Sequence, residues 1–98
     1  MMKRKLVTVV AEAVLEGRIV DDVMRLGAHG YTITDVRGEG ARGKRASSWE
    51  HNRNIRLEAV CAEPAAESIV EWLAETYYAH YAIVVWVSDV EVLRGEKF

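Results

Sequence analysis

One cysteine, one proline and one phenylalanine among 98 residues leave little material for several familiar chemistries. Cys61 has no partner for an internal disulfide, and His29, His51 and His80 are scattered rather than set at metal-ligand spacing. The thiol falls in a segment of strand character, where a small buried cysteine is expected. No metal site is expected. No apolar run approaches the ~20 residues of a membrane-spanning helix, so no direct membrane insertion is expected. The start, Met1-Met2-Lys3-Arg4-Lys5, has the charge of a signal n-region, but the apolar stretch after it breaks at Glu12 without a cleavage-type ending. A cytoplasmic protein fits. A Walker loop is missing, because Gly38, Gly40 and Gly43 lack its spacing and open no helix. Ser47 and Ser48 stand near His51, but no third group orients them, and no catalytic residue is assigned.

The net charge of −2 and the 50% hydrophobic content describe one compact unit, residues 1–98, with a modest core. Positive charge is local. Between residues 37 and 45, Arg37, Arg42, Lys44 and Arg45 face Glu39 alone. An acidic chain with one basic loop is a poor general nucleic-acid binder. An RNA-recognition surface would need exposed strand aromatics, for which Tyr31 and Trp86 are the candidates. The stretch 38–53 has no hydrophobic periodicity and exceeds the usual connection of about 4–6 residues. Glycines let backbone N–H groups converge on one point, and arginine offers a planar fork of donors that matches phosphate. An anion-gripping loop and a solvated hairpin tip both account for this composition.

Along the chain, Leu6–Ala11 reads as an interior strand that can begin near Lys3. From Leu15 the period becomes helical: Leu15, Ile19, Val23 and Leu26 form a stripe, and Gly30 is placed to end the helix. His29 is expected at the surface beside the helix end, not as a ligand. Tyr31–Arg37 alternates, with Thr32, Thr34 and Val36 on one face and Tyr31, Ile33 and Asp35 on the other. Asn54–Cys61 alternates too, with Ile55, Leu57, Ala59 and Cys61 sharing a face, and it pairs with the preceding strand as a hairpin. Pro64 opens a second helix to Ala79, striped by Ile69, Leu73, Tyr77 and Tyr81. Ala82–Val87 is a continuous apolar strand, followed by alternation over Asp89–Leu93. A continuous run is expected where both faces are covered, and two helices cover one face. That mismatch predicts an oligomer. The order β-α-β-β-α-β is the α+β, ferredoxin-like sandwich when both crossovers are right-handed.

The residues Gly30-Tyr31-Thr32-Ile33-Thr34-Asp35, then Gly38-Glu39-Gly40-Ala41-Arg42 and Arg45, resemble the PII-like signalling proteins linked to inorganic-carbon uptake, the SbtB type and the carboxysome-associated type. The likeness continues through Tyr81-Ala82 and the ending Glu91-Val92-Leu93-Arg94-Gly95. It implies a homotrimer with adenine-nucleotide sites between subunits, and it makes 38–53 the T-loop. By matching position, Arg42 and Arg45 hold phosphates. Thr32, Thr34 and the stretch Asp35, Arg37, Gly38 and Gly40 line the nucleotide, and the backbone at Ile83 meets the adenine. AMP, ADP, ATP or cyclic AMP is the implied ligand, with bicarbonate as co-ligand and no tightly bound cofactor. A bicarbonate transporter, holding the protein at the membrane periphery, or a carboxysome-associated protein is the implied partner. Ile83 stands where SbtB relatives commonly carry glycine, the loop is shorter, and the sequence given ends at Phe98 without a cysteine-bearing extension. These differences point to the carboxysome-linked branch. A glycine-rich B-loop before the last strand is also lacking, against 2-oxoglutarate sensing through ATP and magnesium. Two readings from other classes stand beside this one. One is a weak nucleotide hydrolase using Glu39, Ser47 or His51, and the other an assembly module whose basic loop docks a protein.

Overall fold

A computed structural model describes residues 1–40, 43–44 and 53–98. The principal sheet has the order β2-β5-β1-β6, built from β1 (Met2–Glu12), β2 (Thr32–Val36), β5 (Asn54–Cys61) and β6 (Val84–Val92). All its neighbouring strands are antiparallel. Helix α1 (Glu16–Arg25) links β1 to β2, and α2 (Glu63–Tyr77) links β5 to β6. This is the ferredoxin-like sandwich. Within the long connection, β3 (Glu39–Gly40) pairs antiparallel with β4 (Gly43–Lys44), a short ladder that the absence of periodicity did not announce.

The core lies between one face of this sheet and the two helices. Val7, Val9 and Ala11 of β1 meet Leu57, Ala59 and Cys61 of β5, and Leu15, Ile19, Val23, Ala66, Ile69 and Leu73 close over them. The alternation over β5 is the reason its four inward residues are all buried. Burial also pushes the Cys61 thiol pKa up. Strand β1 is longer than its apolar segment. Lys3 and Lys5 lie opposite Glu91 and Asp89 of β6, and cross-strand opposite charges carry the ladder on through this polar end. Lys5 bonds Asp89 and lies 3.5 Å from Glu63, the first residue of α2.

The glycine that ends α1 stands three residues before the expected one. Gly27, not Gly30, takes the positive φ of 122°. Its N–H donates to the Met24 carbonyl and that of Ala28 to the Val23 carbonyl, the double bond of a Schellman ending. A Cβ on Gly27 would stand 2.9 Å from Cβ of Ala65, so α2 closes the space as well. The helices are further joined by Tyr77, which is 1% exposed and donates to Oδ2 of Asp22 at 2.6 Å. Arg18 lies over its ring at 5.1 Å, and Arg25 stacks on Trp72 at 4.5 Å. Burial, and then the Asp22 carboxylate, push the Tyr77 phenol up to about 12.

At the end of the chain, the Arg4 guanidinium donates to the Gly95 carbonyl at 2.8 Å. Gly95 packs so tightly on Met2 that a Cβ would overlap that side chain. His29 is exposed, and its Nδ1–H donates to the Lys97 carbonyl at 3.0 Å.

Two substitutions test this framework. Gly27→Ala should lower unfolding free energy in urea by about 1–2 kcal/mol, from the left-handed backbone alone. Tyr77→Phe should cost about 1.5–3 kcal/mol, the usual range for a bond to a charged group. Because the phenol is raised in the folded chain, its protonated form favours folding below pH 10. That contribution falls away between the ordinary value and about 12. The alkaline loss of stability should therefore be shallower in the Tyr77→Phe variant.

Candidate functional site

The helices leave the second face of the sheet uncovered. On β2 this face carries Thr32, Thr34 and Val36, opposite Glu58, Arg56 and Asn54 of β5. The same rows continue on β1 as Thr8 and Val10, and on β6 as Trp86 and Val84. One row therefore reads Thr32, Glu58, Thr8, Trp86, and the next Thr34, Arg56, Val10, Val84. Thr8 is only 2% exposed between its neighbours, whereas Trp86 is 46% and Val84 45% exposed. Within one chain the continuous apolar run of β6 is an edge strand whose second face is bare. Arg56 Nε lies 3.9 Å from the Glu58 carboxylate, a loose pairing along β5.

The two threonines expected to line a ligand do share one face leading toward the long connection. Asp35 points to the other face, opposite Ile55, and is exposed. Arg37 and Gly38 follow β2 at the surface, and Gly40 belongs to β3. Arg42 and Arg45 lie outside the described residues, as do Ser47, Ser48 and His51. Ile83 is 7% exposed with its side chain in the core, and its N–H donates to the Tyr81 carbonyl at 3.0 Å. The Ile83 side chain is therefore not offered to the surface, and its N–H is already bonded.

The register fixes where these groups stand relative to one another. Val84 opposes Val10, Val10 opposes Arg56, and Arg56 opposes Thr34. Ile83 and the end of β2 therefore lie at the same end of the sheet but on its two outer edges, three strand spacings or roughly 14 Å apart. One chain does not bring them together. The glutamate, arginine and tryptophan of the open face were not marked by any sequence motif. Their alternation gave the face, but the strand order that makes them neighbours is a tertiary property.

Two depressions lie away from these residues. One, of about 650 Å³, is lined by Lys3, Arg4, Lys5, Glu63, Asp89, Val90 and Glu91. The other, of about 390 Å³, runs between α2 and β6. Among the described residues no group of histidine, cysteine or carboxylate side chains is arranged to hold a metal ion, and no helix is long and apolar enough to cross a membrane.

The model of the family "Nitrogen regulatory protein P-II" matches residues 4–97. A putative PII-like signalling protein from Thermus thermophilus is 52% identical over 99% of this chain and 96% of its own, with a TM-score of 0.86. CPII, a nitrogen regulatory PII-like protein from Thiomonas intermedia, has a solved structure bound to ADP, AMP and bicarbonate. It is 25% identical over 99% of this chain and 94% of its own, with a TM-score of 0.88. An apo form of the same CPII also matches, at a TM-score of 0.76. With the match spanning nearly its whole length, the chain belongs to the PII family of signal-transduction proteins, whose members act by binding rather than by catalysis.

Proposed function

We propose that this protein is an adenine-nucleotide sensor whose site is completed between copies in a homotrimer, and that it regulates inorganic-carbon uptake or carbon metabolism through its T-loop. The observation that carries this reading is the placement of the candidate residues on opposite edges of one sheet end. The β2 edge offers the Thr32 and Thr34 hydroxyls, Asp35, Arg37 and Gly38, and the β6 edge offers the Ile83 backbone. Two copies set edge to edge bring these groups into one cleft. The bare apolar residues of the second face, Trp86 and Val84 with half-buried Leu6, Val10 and Val60, favour such an assembly.

In the cleft, Arg42 and Arg45 supply charge-assisted bonds to the phosphates, with Arg37 adding positive charge at the loop base. Gly38 and Gly40 allow the backbone to approach the nucleotide closely. The adenine meets main-chain groups at Ile83. Bicarbonate, present with ADP and AMP in CPII, is the co-ligand we assign to the same cleft. Nucleotide changes the loop only through a difference in its affinity for two loop arrangements. That difference is what a bicarbonate transporter or carboxysome-associated partner reads.

Calorimetry against AMP, ADP, ATP and cyclic AMP, with and without bicarbonate, should find micromolar binding to at least one of them, about −8 kcal/mol at 1 μM. Arg45→Ala should weaken that binding by at least tenfold, or about 1.4 kcal/mol, while light scattering still gives three chain masses. Unchanged affinity would remove Arg45 from the site. Trp86→Glu, which places a carboxylate on the apolar face, should lower the measured mass toward one chain; an intact trimer would move the interface elsewhere.

A further inference from the structure

The uncovered face of the sheet carries one pair of opposite charges near its middle. Arg56 and Glu58 stand two residues apart on β5, an interior strand, and so point to the same side. Their cross-strand neighbours hold no charge: Thr34 and Val10 flank Arg56, and Thr32 and Thr8 flank Glu58. Val84 and Trp86 complete the two rows. Within one chain the pair is poorly made. Arg56 Nε is 3.9 Å from Glu58 Oε1, beyond hydrogen-bond reach, and this nitrogen is buried with no bond partner. Among the described residues neither group has another ion-pair partner. The two side chains are nonetheless 43% and 34% exposed, open to whatever covers the face.

We infer that Arg56 of one copy pairs with Glu58 of the next across these faces, and that this contact fixes how the copies are turned against one another. The inference rests on the homotrimer reading and names the polar contact that orders it. Charge complementarity selects a second copy as the occupant. Each face carries one cation and one anion, so copies related by rotation offer Arg56 to one neighbour and Glu58 to the other. The exposed Trp86 and Val84 draw copies together without setting an angle, because burial of apolar surface is non-directional. Covering the face also withdraws both charges from water, which is unfavourable unless each meets an opposite charge. A guanidinium fork and a carboxylate meet best in one planar arrangement, so the pair favours a single register and opposes slipped ones. That register sets the β2 edge of one copy against the β6 edge of another, and so decides whether Thr32 and Thr34 meet Ile83 in one cleft.

Light scattering across a dilution series reads the contact directly. Arg56→Glu and Glu58→Arg each set like charges against one another. Each should shift dissociation to chain concentrations more than about tenfold higher, with an unchanged circular dichroism spectrum. Mixed in equal amounts, the two variants should give a larger mass than either alone. Pairing confined to one chain predicts no such recovery. Both substitutions in one chain, which exchange the charges, should return dissociation to the unsubstituted range. Glu58→Gln, which keeps the side-chain shape, should shift it in the same direction by less, and it serves if the charge reversals disturb folding. Masses that ignore every one of these variants, or a mixture no heavier than its components, would overturn the proposal. So would an unsubstituted protein that stays monomeric, which defeats the homotrimer as well. A trimer indifferent to these charges that still binds nucleotide by calorimetry leaves the sensor reading standing without the pair. A charge-dependent trimer that binds none of the four nucleotides supports the pair and defeats the sensor reading.

Discussion

One-sided coverage is the constraint on which the rest of this structure depends. Among the described residues two α-helices lie over four strands, and both lie on the face carrying Val7, Val9, Leu57 and Ala59. That face receives nearly all the large buried side chains. The other keeps threonines, an arginine, a glutamate and a tryptophan in cross-sheet rows. The residues proposed to meet a nucleotide are drawn from the open face, the two edge strands and the connection between β2 and β5.

The helical layer is rigid for a second reason. Tyr77 couples apolar packing to a bond with a carboxylate, and Arg18 and Arg25 each cover an aromatic ring of α2. This fastening is made mostly from α1 charges and α2 aromatics, so the two helices are held by groups that differ in kind. The strand ladders separately set the ends of β2 and β6 three strand spacings apart. A ligand that needs both edges must take them from different copies.

Much of the fold is legible in the residues because its periods are clean. The inward positions of β5 follow from Ile55, Leu57, Ala59 and Cys61, and Pro64 marks the start of α2 within one residue. The misplaced helix end has a physical cause: Gly30 is the expected position, whereas the Schellman bonds and the close approach of Ala65 select Gly27. The first strand, expected to begin near Lys3, starts at Met2, where Lys3 and Lys5 pair across to Glu91 and Asp89 of β6. The apolar run of β6 leaves Val84 and Trp86 exposed on the face the helices do not cover, the mismatch from which an oligomer is expected. For the site, alternation separates Thr32 and Thr34 from Asp35. That Ile83 lies three strands away depends on the crossovers, which no local pattern encodes.

The antiparallel register of β2 with β5 bears on how such a protein can diversify. Slipping β5 by one residue would turn Ile55, Leu57, Ala59 and Cys61 outward together, so selection has almost no freedom in the pairing itself. The segment joining the two strands is under a far weaker thermodynamic constraint, since doubling a loop's length adds only about 0.6 kcal/mol of closure entropy. Lineages can therefore lengthen, shorten or rewrite that segment as their partners change, while the hairpin beneath it stays the same to the residue. One register thus ties down the strands closely and their connection hardly at all.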